Sequence, residues 1–212
     1  MKFDVPLLKQ STNKTCGNTC LRIVLSYYGY KISEETISNK ISKDNKGGTW
    51  LTELGWFAKT LDLKPTCYAY NLYLTNPSKD KYLLPRALAN KFERQRKSLK
   101  DDWFSGMLNS TIKAISSGVS YIIEKPHEDL FKDYLRQSVP IILSVNCSSL
   151  YDKQGDPFEG HDIVLNGFEK DYFWFVDPDH RIQNKIRANQ LMFALLSAKV
   201  VARSAYMLTI KK

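Results

Sequence analysis

Residues Lys9–Gly29, KQSTNKTCGNTCLRIVLSYYG, decide how the first part of the chain folds. Apolar side chains recur at the spacing of one helix face: Cys20, Ile23, Val24 and Tyr27. The stretch therefore predicts a helix from Thr15 to Tyr28, with Thr15 as N-cap and Gly29 as the residue that stops it. Cys16 then falls in the first turn of the helix, and Cys20 falls on its buried face.

The two cysteines of this stretch differ in their expected chemistry. A helix N-terminus stabilises an anion through its dipole and its free N–H groups, so Cys16 is placed to become a thiolate nucleophile. Cys20 lies one turn further along and is interpreted as a small buried side chain. Gln10 precedes Cys16 and carries an amide that can donate to a developing oxyanion. The stretch thus holds a candidate nucleophile and a candidate oxyanion donor.

The bulk composition is that of an ordinary globular protein. The 212 residues can build one sizeable core, and 43% of them are hydrophobic and 25% charged. No apolar run is long enough to span a membrane, and the N-terminus lacks the apolar region of a signal peptide. Four cysteines are too few for a disulfide-stapled secreted domain. We expect a cytoplasmic protein with free thiols, and export by a dedicated secretion system stays open.

Helical and strand-like patterns are unevenly distributed along the chain. Further helices are predicted from Ser33 to Ser42, after Thr49 as N-cap, and at EDLFKDYLRQ. Strand-like runs are KPTCYAYNLYL, VSYIIEKP, VPIILSVNC, HDIVLNGF, DYFWFVDP and ARSAYMLTI. We therefore predict an α+β protein in which residues 1–212 form a single domain. Its helical part covers about 1–66 and its β-rich part about 118–212.

A basic segment separates these two parts. The net charge of the chain is +9, and the stretch from Lys79 to Lys100 contains eight basic residues and two acidic ones. It reads as a helix whose charged face is either simply solvated or docks an acidic partner along Lys91–Lys100. Nucleic acid is not the partner we expect.

His161 is the candidate base among three histidines. It opens a predicted strand, whereas His127 and His180 lie in predicted loops. An aspartate that accepts the imidazole N–H would fix the tautomer and stabilise the imidazolium, and Asp177 ends the following strand. Because no CxxC or HxxxH pair and no G-x-S-x-G elbow occurs, we expect neither a metal site nor a serine nucleophile, and no cofactor.

The turn of this hairpin decides whether the aspartate can reach the histidine. A three-residue turn centred on Lys170 would place His161 opposite Asp179 and put Asp177 diagonally beside it on the same face. A two-residue turn would put Asp177 on the opposite face. Asp162 and Asp179 are the alternative acids.

Five stretches carry a resemblance to a known family: VPLLKQSTNKTCGNTCLRIVLSYYG, GGTWLTELGWFAKTLDLK, VPIILSVN, GHDIVLNGF and FWFVDP. The chain resembles the papain-like cysteine peptidases, and within them the C39-type bacterial group and its stand-alone C39-like relatives. The resemblance extends from about residue 3 to 178. It thins between Asn71 and Ser117, so the basic segment is interpreted as an insertion at about 71–117.

The resemblance implies a helical lobe that carries Cys16, packed on an antiparallel sheet that carries His161 and Asp177, with a peptide or protein substrate in the cleft. It implies Cys16 as nucleophile, His161 as general base, Asp177 as orienting acid and Gln10 as oxyanion donor. C39 domains of peptide exporters cut after Gly-Gly, but the chain lacks room for exporter parts, so leader processing is not assumed. Acyl or peptidyl transfer through the same thioester, and a non-catalytic binding module, are the alternatives.

Overall fold

The structure is a computed structural model that describes residues 1–43, 47–156, 159–198 and 203–212. The predicted loop KDNKGG, the residues just before Gly160 and the start of ARSAYMLTI lie partly outside these ranges. The helices of the described residues are α1 (Cys16–Tyr27), α2 (Glu34–Lys40), α3 (Leu51–Lys59), α4 (Pro77–Asp80), α5 (Pro85–Ser98), α6 (Asp102–Ser116), α7 (Glu128–Arg136), α8 (Cys147–Tyr151) and α9 (Ala188–Ser197). The strands are β1 (Lys64–Ala69), β2 (Ser120–Ile123), β3 (Ile141–Asn146), β4 (Gly160–Glu169), β5 (Tyr172–Asp177), β6 (Ile182–Arg187) and β7 (Met207–Lys211).

The described strands form one seven-stranded sheet in the order β2-β1-β7-β3-β4-β5-β6. β1 and β2 run parallel, and the other neighbouring pairs are antiparallel. Alternate residues of a strand point to opposite faces, so each face has its own core. One core joins the sheet to α1, α2 and α3, and the other joins it to α7 and α9. The predicted α+β class is confirmed.

α1 follows the helix predicted from the opening stretch to within one residue at each end. Cys20, Ile23 and Val24 are fully buried against the sheet. The helix stops at Gly29, whose φ of +89° lies in the left-handed region that glycine adopts without strain. Thr15 occupies the N-cap position but makes no side-chain cap bond; its hydroxyl instead accepts the N–H of Thr12 at 3.1 Å.

The predicted N-cap is correct for α2 and wrong for α3. Ser33 caps α2 by accepting the N–H of Thr36 at 3.0 Å. Thr49 does not cap α3, which begins at Leu51 after Trp50. The Thr49 hydroxyl instead donates to Asn18 Oδ1 at 3.2 Å. The Thr49 side chain therefore bonds to α1, and α3 starts without a side-chain cap.

The region predicted to be an insertion is helical and has a core of its own. β1 ends at Ala69, so the second half of the predicted strand KPTCYAYNLYL is not extended. α6 was not foreseen from the sequence, although its N-cap Asp101 accepts the N–H of Phe104 at 2.9 Å. α5 and α6 pack together through a third cluster: Leu88, Phe92, Met107, Leu108 and Ile115. The bounds of the insertion and the single-domain division stay predictions.

The basic face of α5 is partly neutralised within the chain. Lys91 pairs with Asp80, and Arg96 pairs with Glu93 at 2.7 Å. Docking of an acidic partner at Lys91–Lys100 stays a prediction. In the part of the chain that the structure describes, no helix combines the length and apolarity needed to cross a membrane.

Candidate active site

The β4–β5 hairpin sets the relative orientation of His161 and Asp177. Glu169 pairs with Tyr172, so the turn has two residues, and Lys170 adopts a left-handed φ of +52°. The predicted three-residue turn is therefore wrong. An irregularity between Leu165 and Gly167 shifts the register by one residue. This bulge reverses the alternation of faces in β4. His161 and Asp177 therefore lie on the same face of the sheet, although a two-residue turn alone would have put them on opposite faces.

The N-terminal segment holds the bulge in place. Asn166, the extra residue, donates from its amide to the carbonyl of Phe3 at 2.6 Å and accepts the N–H of Phe3 at 3.0 Å. Lys2 forms a β-bridge to Gly167. A Cβ at position 167 would lie 2.7 Å from the Lys2 Cα, which leaves room only for glycine. The hairpin geometry thus depends on contacts between residues that are 163 and 165 positions apart in the sequence.

His161 and Asp177 form a buried hydrogen-bonded pair. His161 Nε2 lies 3.0 Å from Asp177 Oδ1, and His161 and Asp177 are 7% and 0% exposed. Burial lowers the pKa of His161, but the hydrogen bonds with Asp177 and Cys16 outweigh it and raise that pKa to about 11. Burial likewise raises the pKa of Asp177, and the interaction with His161 overcomes it and lowers that pKa to about 2. The pair is therefore stable as imidazolium and carboxylate.

Asp177 accepts hydrogen bonds from two further residues. Tyr151 was not predicted from the sequence, and Asp179 was considered only as an alternative acid. The Tyr151 hydroxyl donates to Asp177 Oδ2, and the Asp179 N–H donates to Oδ1 at 2.7 Å. Tyr151 lies at the end of α8, a short helix with no periodic pattern that could predict it. Asp179, considered as an alternative acid, supports Asp177 through its backbone, and its own carboxylate is half exposed.

We expect Tyr151→Phe to lower kcat/KM about tenfold. The change removes one donor from a buried carboxylate, and a hydrogen bond to a charged group is worth about 1.5–3 kcal/mol, only part of which is needed to orient His161. Steady-state kinetics on a cleavable peptide would measure it. Tyr134→Phe is the matched control, because it removes a hydroxyl that does not contact Asp177. The Tyr134 hydroxyl lies 2.8 Å from the Tyr68 hydroxyl. Equal kinetics for the two variants would contradict a role for the Tyr151 hydroxyl.

Cys16 is the first residue of α1 and lies beside both His161 and Asp162. A hydrogen bond with Cys16 contributes to the raised pKa of His161, and Cys16 Sγ lies 3.8 Å from Asp162 Oδ2. Because His161 Nε2 is bonded to Asp177, Nδ1 is the ring nitrogen left for the thiol. The start of α1, an imidazole and two carboxyl groups thus lie around one thiol.

A carboxylate from α2 anchors the loop that leads into Cys16. Glu34 accepts the Ser11 N–H at 3.3 Å and the Thr19 hydroxyl at 2.5 Å, and it also accepts the Ser11 hydroxyl. These hydrogen bonds outweigh the burial that would raise the pKa of Glu34, and they lower that pKa. Glu34 was predicted only as a first-turn residue of α2, and its hold on the loop is visible only in the structure.

Gln10 lies at the other end of this loop, next to the end of β5. Its N–H donates to the carbonyl of Pro178 at 2.8 Å, and the residue is 8% exposed. Its side-chain Oε1 is buried and has no partner among the described residues. A buried side-chain oxygen without a partner is unusual, because such atoms are nearly always hydrogen-bonded.

The remaining thiols and histidines take structural positions. Cys20 donates to the carbonyl of Asp162 at 3.2 Å, and burial raises its pKa well above the ordinary value. Burial also raises the pKa of Cys147, which opens α8. His127 caps α7 by accepting the Leu130 N–H at 3.2 Å, and His180 is exposed. The described residues include no cluster of three His, Cys, Asp or Glu side chains that could hold a metal.

The His161–Asp177 pair predicts a pH window for its contribution to stability. The pKa of Asp177 is lowered from 3.8 to about 2, so its contribution is complete above pH 3.8 and is lost as the pH falls toward 2. The pKa of His161 is raised from 6.5 to about 11, so its contribution is complete below pH 6.5 and is lost as the pH rises toward 11. The difference in unfolding free energy between wild type and Asp177→Asn should therefore be largest between about pH 4 and 6.5. Urea unfolding across this range measures it, and a difference that does not vary with pH would contradict the charged pair.

Comparison with known proteins shows which family the chain belongs to. The chain is similar over 99% of its length, at 14% identity and a TM-score of 0.56, to a protein described as a C39-like peptidase from Bacillus anthracis, 95% of which is covered. It is also similar to a double-glycine-motif protease of an AMS/PCAT transporter in complex with the leader peptide (18% identity, TM-score 0.48, 99% and 93% covered). A third structure is the peptidase domain of Streptococcus ComA (13% identity, TM-score 0.47, 96% of both chains).

The likeness to the first of these structures shows the fold. No curated protein matches the chain. The model of the Peptidase_C39 like family matches residues 2–196, which is nearly the whole chain. The resemblance seen in the opening stretch and in the two strands of the hairpin is therefore confirmed, and the chain belongs to the Peptidase_C39 like family, with its papain-like cysteine peptidase fold.

Proposed function

We propose that the protein is a cysteine peptidase that hydrolyses a peptide or isopeptide bond, with Cys16 as nucleophile, His161 as general base and acid, Asp177 as orienting acid and Gln10 as oxyanion donor. The observation that carries the proposal is the buried His161–Asp177 pair, whose imidazole also hydrogen-bonds the thiol at the start of α1. A nucleophile, a base and a group that orients the base are the minimum set for thiol catalysis.

In the proposed mechanism each group has one task. The Cys16 thiolate attacks the scissile carbonyl carbon, and the negative charge moves to the carbonyl oxygen. The Gln10 amide and the Cys16 N–H, free at the helix start, would stabilise that oxyanion. His161 gives its proton to the leaving amine as the C–N bond breaks and a thioester forms. His161 then takes a proton from water as the water oxygen attacks the thioester; the C–S bond breaks, and the carboxylic acid and the Cys16 thiolate are released beside the His161 imidazolium.

Transfer of the acyl group to an amine would use the same thioester and the same residues, so only the acceptor distinguishes transfer from hydrolysis. The decisive experiment is cleavage of a diverse peptide library, followed by mass spectrometry of the products in ¹⁸O-labelled water with an added amine. Incorporation of ¹⁸O supports hydrolysis, and aminolysis products support transfer. If neither appears, and Cys16 reacts with a thiol probe no faster than Cys67, the proposal is wrong and a binding module is favoured.

Gln10→Ala should reduce kcat by about 10²–10³-fold with little change in KM. Loss of one oxyanion donor removes an interaction that is made mainly in the transition state. Kinetics on a peptide found in the library would measure it. Gln10→Glu keeps the size of the side chain but brings a negative charge beside the oxyanion, so it should be at least as slow. An unchanged kcat in Gln10→Ala would exclude Gln10 as the donor.

A further inference from the structure

Asp162 is a buried carboxyl group that lies against the proposed nucleophile. It follows His161 in β4, and its side chain points to the face of the sheet that α1 covers. Oδ2 is 3.8 Å from Cys16 Sγ, and a Cβ on Gly17 would come within 2.7 Å of the same oxygen. Glycine at position 17 therefore admits the carboxyl group to the first turn of α1. The other oxygen, Oδ1, is buried and has no partner among the described residues.

The groups that face Asp162 come from every element packed around it. β3 contributes the hydroxyl of Ser144, which pairs with Asp162 across the strands and hydrogen-bonds its carboxyl group. α1 contributes the thiols of Cys16 and Cys20. The segment before β7 contributes Arg203, whose guanidinium donates to the Ser144 hydroxyl and interacts electrostatically with both Asp162 and Cys16. Arg203 is the cation of this cluster, and His161 is the cation on the other side of the thiol.

The charges in this pocket balance only if Cys16 and Asp162 carry one negative charge between them. The His161 imidazolium is matched by Asp177. The Arg203 guanidinium then matches a single further anion, and a second negative charge beside the buried Asp162 would lack a counter-ion, which is costly. Burial raises the pKa of Asp162 despite the opposing effects of Ser144 and Arg203.

We propose that Asp162 and Cys16 share one proton, which the Asp162 carboxyl group holds and donates as a hydrogen bond to Sγ whenever Cys16 is a thiolate. In this step the S–H bond breaks and an O–H bond forms on Asp162. The negative charge moves from the carboxylate to the sulfur, and the net charge of the pair is unchanged. Because His161 already carries its proton through Asp177, Asp162 is the group that takes the thiol proton. The inference rests on the proposed function of Cys16 as nucleophile.

The test is the rate at which Cys16 is alkylated by iodoacetamide as a function of pH, read from the Cys16 peptide by mass spectrometry. Asp162→Leu removes both the charge and the donor, whereas Asp162→Asn removes the charge and keeps an N–H donor. We expect the Leu variant to react roughly tenfold to a hundredfold more slowly at neutral pH, the effect of one hydrogen bond to a charged group, and to need a higher pH. The Asn variant should stay within about threefold of wild type, and Asp133→Asn on α7 is the matched control with an exposed carboxylate.

Two results would overturn the inference. If the Asn and Leu variants both react at lower pH than wild type, Asp162 is an ionised carboxylate that opposes the thiolate. If neither profile moves, Asp162 only fills space. Should the Leu variant fail to fold, the infrared spectrum decides: wild type minus Asp162→Asn must show the carbonyl band of a protonated carboxyl group at the pH where Cys16 reacts. If wild-type Cys16 itself reacts no faster than Cys147, the proposed function fails first, and the two failures are distinguishable.

Discussion

Cys16→Ala is expected to reduce peptide cleavage by at least about 10⁴-fold, and to leave the thermal unfolding midpoint within a few degrees of wild type. The loss is large because the remaining groups cannot form the thioester, and removal of a nucleophile usually abolishes the contribution of its whole catalytic group. The fold should persist, because Cys16 is only partly buried and alanine is compatible with the first turn of a helix. Steady-state kinetics and a thermal melt would measure the two effects.

The matched control for this change is Cys147→Ala. Cys147 is also a partly buried thiol, and its pKa responds to the nearby His161, yet it is not at the start of the helix that faces Asp162. Its variant should keep activity within about threefold. Full activity in Cys16→Ala would remove the proposed mechanism, and loss of activity in Cys147→Ala alone would transfer the nucleophile to α8.

Asp177→Ala is the second change with a large expected effect. It should lower kcat by about 10²–10⁴-fold, the usual range for general acid–base catalysis, because His161 loses the group that orients and charges its ring. It should also destabilise the fold by about 3–5 kcal/mol, since it breaks a buried charge pair and leaves the Tyr151 hydroxyl without its acceptor. Kinetics and urea unfolding on the same preparation would measure both.

Asp177→Asn separates orientation from charge. Its amide oxygen can still accept the His161 Nε2–H, so this variant should lose less activity than Asp177→Ala. The activity that remains should fall off at a lower pH, because the ring no longer has a carboxylate to keep it protonated. If the Ala and Asn variants have the same kcat and the same pH profile, Asp177 does not orient His161.

Several features of the fold followed from the sequence because their causes are local. The apolar spacing of α1 and the glycine that ends it predicted the helix to within one residue at each end. The β-rich second half, the helix α7 and the hairpin strands were likewise recognised from periodicity. α6 and α8 were missed because one lies in a region where the family resemblance thins and the other is a five-residue helix with no pattern to detect.

The sequence by itself thus determined the class of fold, the position of Cys16 at a helix start and the choice of His161, Asp177 and Gln10 as candidates, because each of these depends on residue type and short-range spacing. Only the tertiary structure decided which side chains meet. A bulge held by the N-terminal segment, rather than the turn, aligns the hairpin. Tyr151 and Glu34 reach the site from other elements, and Asp162 meets Cys16 because α1 packs on β4. Long-range packing sets these contacts, and local pattern carries no information about that packing.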